Sequence, residues 1–111
     1  MYVVVVLIGS TRFKDVFRKV EEELSLKGYL VFTPSVYSQS GANPKCGVEI
    51  KKILDKAAKM KIARSEIVVV IDEDGYIGES TNDQIAFAKL LNKPVFYYSK
   101  GDLEKLWDII I

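Results

Sequence analysis

Two short segments hold most of the side chains that could act on a ligand. The first is Gly9-Ser10-Thr11-Arg12. At the start of a helix, backbone N–H groups joined by two hydroxyls and a guanidinium suit a phosphate, a carboxylate or a sugar hydroxyl. The same four residues also satisfy a tight strand-to-helix turn, with Ser10 or Thr11 as N-cap and Arg12 in solvent. The second segment is Asp72-Glu73-Asp74-Gly75-Tyr76-Ile77-Gly78-Glu79-Ser80-Thr81. Its two glycines let backbone approach a ligand closely, Tyr76 offers a ring face to a base or sugar, and the carboxylates can accept from ribose hydroxyls. Without a ligand it reads as an acidic, solvated loop capping a helix. Gln84 shares a helical face with Phe87, Ala88 and Leu91, which turns it inward at the sheet edge. There it either touches a ligand or completes a capping box, Thr81-x-x-Gln84.

Composition narrows the chemistry. The 111 residues contain no His, so the usual general base near neutral pH and the commonest metal ligand are missing. Cys46 is the single cysteine. It has no disulfide, zinc or thiol-activating partner, reads as an ordinary loop or interface residue, and fits a reducing cytoplasm. No metal or cofactor is expected. Sixteen Lys and Arg against fifteen Asp and Glu leave a formal charge of +1. A chain so balanced has no bulk field for a nucleic-acid polymer or an anionic membrane, and a charged ligand must be held locally. The apolar run Val3 to Ile8 is far shorter than the ~20 residues that span a bilayer and lacks the flanks of a signal segment.

The elements that must position these residues follow from hydrophobic spacing. Tyr2 to Ile8 is a β-branched run of the kind that forms a central parallel strand, ended by Gly9. Phe13, Val16, Phe17, Val20 and Leu24 recur at helical spacing up to Gly28. Tyr29 to Thr33 reads as a second strand, and Ser35 to Gly47 as an exposed loop rich in Ser, Gly, Asn and Pro. Ile50, Ile53, Leu54, Ala57 and Met60 or Lys61 predict a helix from Val48 to about residues 63–65. Ile67 to Ile71 is a third strand, about Thr81 to Leu91 a third helix, and Val95 to Tyr98 a fourth strand. Asp102 is placed as the N-cap of a last helix carrying Leu103, Leu106, Trp107 and Ile110, and the apolar end Asp108 to Ile111 is expected to dock on the sheet or a second subunit. Alternation of strands and helices implies one α/β domain over residues 1–111, with parallel strands and right-handed crossovers. Such sheets bind ligands at the carboxyl ends of their strands, where strand order reverses.

Two familiar folds fit poorly at the first loop. A phospho-acceptor response regulator needs acidic residues after the first strand, where this chain has Gly9 to Arg12, so Asp72 is a poor phosphorylation site. A flavodoxin phosphate loop carries a further Gly and Thr that are missing here, and the chain is short for that fold.

Three strings, in order along most of the chain, carry a resemblance. They are Ile8-Gly9-Ser10-Thr11-Arg12-Phe13, then Lys61-Ile62 before a strand ending in a hydrophobic-Asp step, then Gly75-Tyr76-Ile77-Gly78-Glu79-Ser80-Thr81 through Ile85, Ala88 and Lys93-Pro94-Val95. This pattern resembles the nucleoside 2-deoxyribosyltransferase-like proteins, which include small deoxynucleoside 5′-monophosphate N-glycosidases. The resemblance implies a three-layer, flavodoxin-like open parallel sheet of four to five strands with helices on both faces. It also implies a homodimer or higher assembly and, as ligand, a nucleoside or nucleotide cleaved or transferred at its N-glycosidic bond. A Glu on the helix after the third-strand loop would attack the anomeric carbon while an Asp or Tyr, here Asp72 and Tyr76, steers it. The substrate would lie against Gly9, Ser10, Thr11 and Arg12, which hold the sugar 5′ end or its phosphate, and against Gly78, Glu79, Ser80 and Thr81. A carboxylate suits this attack because it forms and then releases a glycosyl ester. This chain departs from the pattern at two places: the nucleophile's position is Gln84, and Ala63 stands where an acidic residue follows Lys-Ile. Either Glu79 or Asp83 substitutes, or the chain binds nucleotides without cleaving them.

Overall fold

Apolar runs without polar alternation become the buried centre of the sheet. In a computed structural model that describes residues 3–35 and 48–106, strands β1 (Val4–Gly9) and β3 (Ile67–Ile71) lie side by side, and Val5 to Ile8 and all of β3 are buried. The shorter strands β2 (Leu30–Phe32) and β4 (Val95–Tyr97) flank them, giving a wholly parallel sheet in the order β2-β1-β3-β4. Helices α1 (Lys14–Leu26), α2 (Val48–Ala63), α3 (Glu79–Leu90) and the short α4 (Leu103–Leu106) make the connections and the outer layers.

Strand residues alternate between two cores, as the period of two dictates. On one face Val5, Leu7, Val69 and Ile71 pack with Phe17, Val20 and Leu24 of α1 and Leu106 of α4. On the other, Val6, Ile8, Val68 and Val70 meet Ile62 of α2 and Ile85 and Ala88 of α3. The architecture is a three-layer α/β open sheet. Among the described residues, no helix is long and apolar enough to cross a membrane.

Several boundaries differ from expectation. The second and fourth strands are shorter than predicted, and α3 starts at Glu79, two residues before the predicted Thr81. Asp102 directly precedes α4, but its carboxylate reaches backward: Oδ2 accepts from the Tyr97 N–H at 3.0 Å, and Oδ1 lies 3.0 Å from Lys105 Nζ. The Tyr97 N–H, followed by Lys105, holds this carboxyl below the ordinary aspartate value. The largest difference is the face of α2. Ile50, Ile53 and Met60, predicted to face the core, are exposed, while among the described side chains of α2 Ile62 alone is fully buried and Leu54, Asp55, Ala58 and Lys61 are half-buried. Periodicity reveals an apolar stripe but not what the stripe faces. Tyr2, Cys46, the predicted loop beyond Ser35 and the terminal residues from Trp107 lie outside the described residues.

Candidate functional site

Because β1 and β3 are adjacent and parallel, the segments that leave their carboxyl ends emerge next to each other, at the point where strand order reverses. Both line one cleft of about 490 Å³, whose other walls are α2 and residues 33–35 after β2. The size is within the range of small-molecule sites.

Gly9 makes the floor possible. Its φ is +148°, and a Cβ there would lie 2.5 Å from the Ile71 carbonyl oxygen. Ser10 then caps a short 3-10 turn, Thr11–Phe13, its Oγ accepting from the Arg12 backbone N–H at 3.4 Å and from Arg12 Nε at 3.1 Å. Gly9, Ser10 and Thr11 line the cleft, as do Tyr76, Gly78, Glu79, Ser80, Thr81 and Gln84. The two segments are stitched together at Tyr76, on the edge of the cleft. The Arg12 guanidinium lies 4.1 Å from the Tyr76 ring centre and donates to its hydroxyl at 3.3 Å, and Phe13 meets the same ring edge-on at 6.0 Å.

Arg12 does not itself line the cleft; it braces one loop against the other through Tyr76, which does. Asp72 is placed differently from Tyr76. It is buried, its oxygens accept from the Ser99 N–H at 2.8 Å and the Ser99 hydroxyl at 2.7 Å, and it does not line the cleft. Its neighbours Glu73, Asp74 and Gly75 border a separate depression beside Tyr98 and Ser99. Asp72 therefore fastens the β3 exit to the turn after β4. Asp72→Ala should lower stability by about 1.5–3 kcal/mol, the scale of hydrogen bonds to a charged group. Ligand affinity measured by calorimetry should change little, and a selective loss of affinity at unchanged stability would restore Asp72 to the site.

Gln84 is half-buried, and no capping box forms: the N-cap of α3 is Gly78, and Thr81 is a buried residue of the first helical turn. The helix begins early because Gly78, in extended geometry at φ −81°, lets the chain turn in without a side-chain cap. The first-turn N–H groups lack intrahelical acceptors and carry the positive end of the helix dipole, so this wall favours an anion or a polar oxygen.

Three charged cleft residues on α2, Lys51, Asp55 and Lys61, are not marked as site residues by the sequence. Lys61 Nζ donates to the Thr33 carbonyl at 2.8 Å and the Ser35 hydroxyl at 2.6 Å, tying α2 to the end of β2, and burial pushes its pKa down. Lys51, Leu54, Asp55, Ala58 and Lys61 recur at helical spacing on the side away from Ile53, and that mixed stripe is the signal that was present. Ala63, by contrast, is exposed and off the cleft; its carbonyl accepts from Lys93 Nζ at 3.3 Å.

Among the described residues no group of three or more His, Cys, Asp or Glu is placed to hold a metal ion. No protein-family model matches the chain, and no curated protein matches it.

Proposed function

We propose that this chain binds a deoxynucleoside or its 5′-monophosphate in the β1/β3 cleft and acts at the N-glycosidic bond, in the manner of the nucleoside 2-deoxyribosyltransferase-like proteins. The observation that carries the reading is the convergence of Gly9-Ser10-Thr11 and Tyr76 to Gln84 on one cleft. Hydroxyls and helix-start N–H groups gather at one side, suited to a sugar 5′ end or phosphate. Ile8, Pro34, Leu54 and Ala58 supply apolar surface elsewhere, suited to a base. Self-association belongs to the same proposal, supported by the exposed stripe Ile50, Ile53 and Met60. A cytoplasmic setting is supported by the single cysteine.

A thermal-shift panel of deoxynucleosides and monophosphates tests binding. A ligand at 100 times its Kd should add about 2.7 kcal/mol to stability. Chromatography of the same mixtures tests cleavage, with free base as the expected product. A flat panel removes the proposal. The second reading, a binding module without catalysis, is favoured by Gln84, whose amide occupies a cleft position with no nucleophilic oxygen to offer. A shift without base release is its signature.

A further inference from the structure

Resting on the nucleotide reading above, the cleft still needs a carboxylate if it is to break a glycosidic bond, and position 84 does not provide one. Among the described lining residues two are acidic, Glu79 and Asp55. Glu79 is exposed at the first turn of α3. Asp83, on the same helix, is exposed and does not line the cleft. Asp55 is different: it is half-buried on the α2 wall, next to apolar Leu54 and one turn from Ala58. Lys51, four residues earlier on the helix, makes no ion pair with it, and among the described residues no hydrogen bond engages its oxygens. A carboxylate partly shielded from water and not consumed by a partner is available for proton transfer.

We propose that Asp55 is the general base of this cleft and that the bond is broken by direct attack of water. Asp55 takes a proton from the water as its oxygen bonds to C1′. The C1′–N bond breaks, its electron pair leaves with the base, and the base nitrogen takes a proton from solvent. Asp55 then returns its proton to solvent, so that a deoxynucleoside monophosphate and water become 2-deoxyribose 5-phosphate and free base. Gln84, with one N–H side and one carbonyl oxygen, orients the water or a sugar hydroxyl. A single displacement inverts C1′, unlike the two displacements through a glycosyl ester. Six residues before the Lys61 anchor on α2, the base is held on a helix rather than a loop, which favours fixed geometry.

The experiment uses the full chain with the four deoxynucleoside monophosphates, released base measured by chromatography, and methanol as a second acceptor. Wild-type protein should release base and form the α-methyl glycoside from the β-nucleotide. Asp55→Asn should lower kcat by about 100-fold or more, the usual scale for a lost general base, with KM and nucleotide thermal shift retained. Formate should restore part of the activity of Asp55→Ala. Asp15→Asn, on the exposed side of α1 and away from the cleft, should keep wild-type rates. Wild-type kcat in Asp55→Asn, or a β-methyl glycoside from the wild type, overturns the assignment. A raised KM with lost thermal shift makes Asp55 a binding residue and also overturns it. A nucleotide shift without base release from wild type removes this step and leaves the binding reading standing, whereas neither shift nor release removes both.

Discussion

Gly9→Val should lower the unfolding free energy by roughly 3 kcal/mol or more, adding a strained backbone conformation to overpacking. Gly9 pairs with Ile71 in the β1–β3 ladder at φ +148°, and any Cβ would sit 2.5 Å from the Ile71 carbonyl oxygen and 3.2 Å from its carbonyl carbon and Cβ. The clash cannot be relieved by moving a flexible side chain, because the obstacle is backbone of a strand whose five residues are all buried. Shifting β3 would disturb both cores at once, since Ile71 packs on the α1 side and Val70 on the α3 side. Gly75→Ala is the informative comparison. That glycine also has positive φ, +78°, but nothing lies within 4 Å of an added Cβ, so only the conformational cost of about 1 kcal/mol applies. Urea unfolding should show a much lower midpoint for Gly9→Val with little change in slope, and nucleotide binding should be lost with the floor of the cleft. A midpoint equal to wild type would mean that the strand end is not built as described.

The contrast between these glycines shows how much of the molecule can be read from residues alone. β1 and β3 were legible because an unbroken apolar run has one stable fate in a small domain, burial on both faces. α1 was legible because Phe17, Val20 and Leu24 are spaced for one face and end at Gly28. The convergence of the two loops was legible in outline, because parallel strands put their exits on one edge. What spacing cannot report is the partner on the other side. The stripe Ile50, Ile53 and Met60 has good period and faces outward, while the mixed stripe with Asp55 and Lys61 faces the cleft. Asp72 and Arg12 look like site residues by type, yet Ser99 and Tyr76, distant in sequence, satisfy them first. Hydrogen-bond competition of this kind depends on chain geometry and leaves no local mark.

Gln84→Glu should raise base release about 100-fold or more, equivalent to some 2.7 kcal/mol of barrier. The two side chains have nearly the same shape, so Glu can occupy the half-buried position without repacking α3. The gain is a carboxylate oxygen able to form a glycosyl ester, which an amide cannot do. Its charge is tolerable because residue 84 is only half-buried and faces a cleft that Lys51 and Lys61 also line. The stereochemistry separates this route from water attack. Methanol should trap the β-methyl glycoside in Gln84→Glu, and the double variant Asp55→Asn with Gln84→Glu should keep forming the ester while hydrolysing it slowly, giving a burst of base followed by a slow phase. An unchanged rate in Gln84→Glu, with nucleotide binding intact, would mean that the anomeric carbon does not reach the α3 wall. The cleft would then be a binding site whose chemistry, if any, belongs to α2.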